Sequence, residues 1–206
     1  MNTNTALWDS VKTTDPSAVK PITGKSYKGN SPKPYWLIER ATQTFGPVGI
    51  GWGVIVKSER FERMSDTDVL HVAVVSIWYV LDGKRSETFD QMGGTKACYM
   101  TAKGSLMVDE DAGKKSVTDG MVKCLSMLGF CGDIFSGMWD DSKYVEWAGG
   151  QYALADYLRC IATAPDIESL KAHFSAAWKL TDSSSHAALK DAYDNRKLNL
   201  PEEKEA

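Results

Sequence analysis

Three lysines close to one acidic run are the first residues of this sequence with chemistry to offer. Lys114, Lys115 and Lys123 follow Asp109, Glu110 and Asp111. Clustered lysines of this kind neutralise phosphate groups, since Lys and Arg supply most protein contacts to a nucleic-acid backbone. Carboxylates beside a lysine are also the residue types of metal-assisted phosphodiester cleavage. The three acids are consecutive, however, and consecutive side chains point in different directions, whereas a cleavage site needs convergent geometry. Lys114 and Lys115 sit near a helix start, where the dipole opposes positive charge. A phosphate ligand accounts for that placement, and so does pairing with the neighbouring acids. Asp140-Asp141 reads as a turn.

The element that carries these lysines is a helix. Val117, Met121, Cys124, Leu125 and Leu128 recur at i, i+4, i+7, i+8 and i+11, an apolar stripe. Lys115, Thr118, Val122 and Ser126 lie away from the stripe, and Lys123 stands at its flank. Gly120 in mid-helix costs about 1 kcal/mol relative to alanine, which points to a close packing contact there. Gly129 ends or turns the helix.

Upstream lies what the helix should cover. Pro34 suits the first turn of a helix whose Leu37, Ile38, Ala41 and Phe45 share one face, and Gly46-Pro47 stops it. Trp52–Lys57 is a β-branched run, Ser58–Asp68 a polar segment, and Val69–Leu81 a strand apolar on both alternating sets. Such a strand is covered on both faces and central. Asp82-Gly83 marks a hairpin, because both central positions want positive φ. The return strand, Ser86–Gln91, is polar enough for an edge, and Gly93-Gly94 with Gly104 bracket a loop or short strand. The fold class expected is α+β: a three-stranded antiparallel meander wrapped by a long helix.

Composition bounds the reading. The 206 residues are 43% hydrophobic and 10% aromatic, enough for a core. No apolar run approaches the roughly 18 residues of a membrane span, and the start lacks a secretory-signal layout. A cytoplasmic, soluble protein is expected, with no membrane partner. Four cysteines and three histidines show no zinc-like spacing, so no metal is expected. Net charge is −3, with 13 Lys and Arg against 10 Asp and Glu in residues 1–103 and 11 against 17 beyond. Local potential governs phosphate contact, so a basic face on an acidic chain stays open.

Residues 1–34 read as a polar basic arm, either a mobile strand-binding extension or a solvated segment, with Trp8 and Val11 as a short helical anchor. The main domain spans 35–163. A helical hairpin at 164–200 follows, with Asp166 as N-cap. It serves as a partner surface or as a packing extension. An acidic tail closes the chain at 201–206.

Two segments together resemble the single-strand annealing proteins of the Rad-fifty-two type, and especially the phage recombinases grouped with them (Redβ/RecT, Erf, Sak). Ser116–Gly129, containing Thr118-Asp119-Gly120 and Leu128-Gly129, is similar to that family's A-x-T-D-(A/G)-(L/I)-x-(R/K)-A-L-x-x-(F/L)-G helix. Asp140–Tyr144 resembles its D-K-x-Y close. Phe45-Gly46 before Gly51-Trp52 resembles the F-G-x-x-G-W entry to the first strand. The resemblance covers roughly residues 35–147. It implies a β-β-β-α fold and ring or filament assembly. It also implies ATP-independent binding and annealing of single-stranded DNA in (phage) homologous recombination, with no cofactor and no catalytic residue. Other implied partners are a recombination exonuclease or a host single-strand-binding protein, met through the C-terminal helices. Lys123 falls on a basic DNA-contacting helix position and Lys114 on one just before that helix. Val122, Ser126 and Trp36 stand where the family carries basic residues. Lys33, Lys84, Arg85, Lys96, Lys103 and Lys115 are the candidates to supply the missing charge, and Trp36 to stack on a base. The competing classes are a metal-dependent nuclease of a recombination system and a passive single-strand-binding protein.

Overall fold

The computed structural model describes residues 3–23 and 27–200. The acidic tail and Lys25 of the basic arm lie outside the described residues. The architecture is mixed α+β and divides into two compact units, Met1–Asp140 and Asp141–Ala206.

The first unit begins with helix α1 (Ala6–Val11) and a small antiparallel pair, β1 (Val19–Pro21) and β2 (Asn30–Pro32). Helix α2 (Pro34–Phe45) starts with its proline in the first turn, where the missing N–H costs nothing, and ends at Gly46 with φ of 100°. A curled antiparallel sheet follows. Its strands are β3 (Trp52–Arg63), β4 (Val69–Leu81), the two-residue β5 (Lys84–Arg85), β6 (Phe89–Met100) and β7 (Leu106–Val108). They lie in the order β3-β4-β6-β7, with β5 paired to β4. Helices α3 (Ala112–Met127) and α4 (Gly132–Phe135) complete the unit.

Position 51 shows why the entry to β3 needs glycine. A Cβ there would collide with the carbonyl oxygen of Phe45 and sit 2.8 Å from Gly46 Cα. The chain therefore folds back on the end of α2 only if residue 51 has no side chain. Trp52 is then fully buried, and its indole N–H donates to Thr42 Oγ1 at 3.3 Å. The turn after β4 has Asp82 at φ 51° and Gly83 at φ 73°, as a tight hairpin requires.

The core lies between the sheet and the helices. Ala73, Val75 and Ile77 of β4 join Leu37, Ala41 and Phe45 of α2 and Met121, Cys124 and Leu125 of α3 in one buried cluster. The other set on β4 is not sealed in the same way. Leu70, Val74, Trp78 and Val80 are only half-buried, and the Arg85 guanidinium lies 4.0 Å over the Trp78 ring. β4 is central in the sheet, closely covered on the face of Ala73, Val75 and Ile77 and less completely on the other, where Val72 and Ser76 are nonetheless buried.

Several expectations are corrected. β3 runs through the polar segment to Arg63, with a bulge between Val56 and Ser58. Backbone pairing to β4 holds it, so its exposed residues need not be apolar. Gly93 and Gly94 lie inside β6, not in a loop, because α3 presses on the strand at Gly93. A Cβ at residue 93 would fall on the Ser116 carbonyl oxygen and the Gly120 amide nitrogen. Gly120 faces Val75, whose Cγ2 would be 2.7 Å from an added Cβ. The helix seam is thus built on small residues, Ala112, Ser116 and Gly120, together with Met121, Cys124 and Leu125.

The described part of residues 1–34 is packed. Val11 belongs to the core cluster. Thr14 is fully buried, donating from its backbone N–H (2.8 Å) and hydroxyl (2.5 Å) to the carboxylate of buried Asp133. That carboxylate also accepts the Ile134 N–H at 2.8 Å. Burial of a carboxylate is tolerable when donors converge on it in this way.

The second unit holds α5 (Ser142–Ala162), α6 (Ile167–Leu180) and α7 (His186–Leu198). Asp141 caps α5 through the Lys143 N–H, and Asp166 caps α6 through the Ser169 N–H. Ile161, Ala164, Leu170, Ala177 and Leu189 form its own buried cluster. Arg196 donates twice to the Ala164 carbonyl, at 3.0 and 2.8 Å. The division at residue 140 differs from the expected one at 163: α5 buries Ile161 against α6 and α7, making three helices where a hairpin was expected. Among the described residues no helix is long and apolar enough to cross a membrane.

Candidate nucleic-acid interface

Three of the singled-out lysines share one groove. Lys114, Lys115 and Lys123 project from α3, together with Asp111, Thr118, Asp119 and Val122. Lys20, Ile22, Tyr27 and Asn30–Pro32 face them from the β1–β2 segment, and Phe135 of α4 adds an aromatic surface. The groove encloses about 610 Å³.

α3 can present this face because its opposite side is fixed. Ser116 Oγ donates to the His71 carbonyl of β4 at 3.0 Å and to Ala112 O at 2.9 Å. Residues on the other side of the helix are thereby left to solvent, at the spacing a 3.6-residue turn imposes. Nine residues separate Lys114 from Lys123, a rise of about 14 Å along the axis.

The four lysines are not equivalent. Lys114 Nζ lies 2.9 Å from Asp111, and Lys115 Nζ 2.6 Å from Asp109. Each of these hydrogen bonds raises the lysine pKa, and Lys115 holds Asp109 below the usual carboxylate range. Lys123 is different: its Nζ sits 5.0 Å over the Phe135 ring, a cation–π contact. Of the two groove carboxylates, Asp111 holds Lys114, and Asp119 accepts the Gly94 N–H at 3.2 Å. Among the described residues no ion pair engages Lys20 or Lys123.

The remaining candidates stand apart from this groove. Lys33 donates to the Ser17 carbonyl at 2.7 Å. Trp36 is half-buried against the core cluster and lines a separate shallow hollow with Lys33. Lys84 and Arg85 form β5 after the tight turn, with Arg85 stacked on Trp78. Lys96 pairs with Asp68 at 3.0 Å, and Lys103 lies exposed in the turn between β6 and β7. Six of the nine named residues therefore do not line the α3 groove.

Tyr27 and Phe135 line the groove beyond the residues the sequence singles out, and Lys20 joins them from the basic arm. A tyrosine amid glycines and lysines, Gly24 to Gly29, was the one available signal. Nothing in the spacing of so polar a stretch indicated a paired hairpin against α3.

The carboxylates of the cleavage reading turn to lysines, Asp109 to Lys115 and Asp111 to Lys114. Among the described residues no group of three His, Cys, Asp or Glu side chains is arranged to hold a metal ion. All four cysteines are free thiols. Burial pushes Cys124 up to about 11 and Cys131 up to about 12, so both are poor nucleophiles.

No protein-family model matches the chain, and no curated protein matches it either.

Proposed function

We propose that this protein binds single-stranded DNA and anneals complementary strands without ATP, working as a homo-oligomeric ring or filament in homologous recombination. The observation that carries the reading is the meeting of Lys114, Lys115 and Lys123 in one groove along α3. Lys114 and Lys123 are the two that the resemblance marks as DNA-contacting. The order of elements also supports it: a helix, a glycine-dependent return at Phe45–Trp52, an antiparallel meander, and then the helix with the T-D-G sequence. In this reading that order is the β-β-β-α core of the annealing family, with β7 as an addition before the helix.

The mechanism needs no proton transfer. Lysines neutralise phosphates and release counterions, which supplies affinity without sequence preference. A strand held along its backbone keeps its base edges available, and pairing with a second strand drives the product forward. The groove lysines that already hold carboxylates make the grip moderate, which suits a protein that must release duplex.

The test mixes purified protein with two complementary labelled oligonucleotides, without nucleotide triphosphate. Faster duplex formation than in protein-free buffer is expected. Binding without acceleration identifies a passive coat, and magnesium-dependent cutting identifies a nuclease; either result overturns the proposal.

A further inference from the structure

We infer that the β1–β2 hairpin is the second wall of the strand groove, with Lys20 contacting phosphate across from Lys123 and Tyr27 stacking on a base. The inference rests on the single-strand reading and adds a wall and two contacts to it.

The argument begins with charge. Of the four lysines lining the groove, Lys114 and Lys115 are held by carboxylates. Lys20 and Lys123 are engaged in no ion pair among the described residues, and they belong to different walls, hairpin and helix. A strand lying between those walls meets an uncompensated ammonium group on each side. Lys123 is held in place by the Phe135 ring. Lys20 is held by its strand: it pairs with Ser31 in β1–β2, between Val19↔Pro32 and Pro21↔Asn30.

The second part of the argument is the aromatic ring. Tyr27 is 59% exposed although it lines a groove. A tyrosine folded for packing alone buries its ring, whereas a ring left open beside cationic side chains is the arrangement that stacks unpaired bases. The hairpin itself is anchored. Ala18 is buried, the Lys33 N–H donates to the Ala18 carbonyl at 2.7 Å, and the Ile22 N–H donates to Gly29 O at 2.8 Å. Volume adds a constraint. A space of about 610 Å³ is of the size that takes a drug-sized group, room for one or two nucleotides.

The test is fluorescence anisotropy of the full-length protein with labelled oligothymidine over a range of salt concentrations. Both target side chains are exposed, so the variants fold, and circular dichroism of each verifies it. Lys20→Ala should weaken binding and reduce the magnitude of the log–log salt slope by about 0.7, the value for one phosphate on a single strand. Lys20→Ala with Lys123→Ala should reduce it by about twice that. Tyr27→Ala should weaken binding by roughly 5- to 150-fold with the slope unchanged, the range expected for one lost stacked base, and Tyr27→Phe should restore it. If Lys123→Ala lowers the slope while Lys20→Ala and Tyr27→Ala bind like wild type, the hairpin is not a wall and the inference fails, with the single-strand reading intact. If the wild-type protein binds no oligothymidine, both fall together.

Discussion

Gly93→Ala tests how closely α3 rides on the sheet. A methyl group at residue 93 meets the Ser116 carbonyl oxygen and the Gly120 amide nitrogen, both backbone atoms of α3, and lies 3.0 Å from the Ser116 carbonyl carbon. Backbone in mid-helix cannot rotate away as a side-chain tip can. The helix must therefore lift by well over an ångström to restore contact near 3.4 Å. A gap of 0.5–1 Å already forfeits a quarter to a half of each dispersion contact, and the contacts at stake are those of Met121, Cys124 and Leu125 with β4. Overpacking typically costs 1–3 kcal/mol; with backbone on both sides, the upper end or more applies, about 3 kcal/mol. For a unit of this size that corresponds to a fall in melting temperature of roughly 12 °C. The neighbouring Gly94 is the internal control. Its nearest atom for an added methyl is the His71 carbonyl oxygen at 3.8 Å, ordinary contact. Gly94→Ala should lie within about 0.5 kcal/mol of wild type. Thermal unfolding of both variants, followed by circular dichroism, decides the matter. A Gly93→Ala protein as stable as wild type, or a Gly94→Ala protein equally damaged, refutes the close-approach account.

Lys123→Ala should weaken binding to single-stranded DNA and flatten its salt dependence by about 0.7 in slope; anisotropy titrations showing an unchanged slope remove this lysine from the groove. Asp111→Asn frees Lys114 from its 2.9 Å partner, so affinity should rise and the slope steepen; weaker binding contradicts the masking of Lys114. Thr14→Val strips the hydroxyl donor from a buried carboxylate and leaves the backbone N–H in place; it should cost about 2 kcal/mol in urea denaturation, and a neutral result means Asp133 finds another donor. The Cys131 thiol is pushed up to about 12 by burial, against about 8.5 when unfolded. Above pH 8.5 the unfolded chain gives up this proton while the folded chain keeps it, so stability falls as pH rises toward the folded value. Cys131→Ala should show a shallower decline than wild type, and equal slopes refute the assignment.

Much of the scaffold was legible in the sequence because it is written in period and punctuation. Pro34 and Gly46-Pro47 frame α2, the near-continuous apolar run of Val69–Leu81 marks the central strand, and Asp82-Gly83 marks its turn. Asp166 announces α6 for the same reason: a short acceptor side chain serves a helix start better than it serves a helix interior. The buried seam of α3 was harder to read. Of the apolar stripe, Met121, Cys124 and Leu125 are buried, while Val117 and Leu128 at its ends pack against the core only partly buried. The mid-helix Gly120 signals its close contact with Val75, but Ala112 and Ser116 are buried for their smallness, which a hydrophobic pattern does not register. The hairpin wall was invisible because three-residue strands with lysine, serine and proline carry no periodic signal. The place of α5 was misjudged for a related cause. Its buried positions, Ala148 and Ile161, are few among 21 residues, and it is the packing of Ile161, with the half-buried Leu154, Tyr157 and Leu158, against the α6–α7 cluster that assigns it to the second unit. The basic residues drawn from the first half do not converge, because three of the five, Lys33, Arg85 and Lys96, already serve as local partners to Ser17, Trp78 and Asp68.

The bond between Thr14 and Asp133 also sets a clock on synthesis. The two residues are 119 positions apart in the chain. At a translation rate of about 5–20 residues per second, residue 133 follows residue 14 by roughly 6–24 s. During that interval the segment around Thr14 has no carboxylate to receive its donors, and Val11 lacks the Phe130 side of its cluster. The segment from Val11 to Thr14 is therefore among the first parts of the unit to leave the ribosome and among the last to be fastened down.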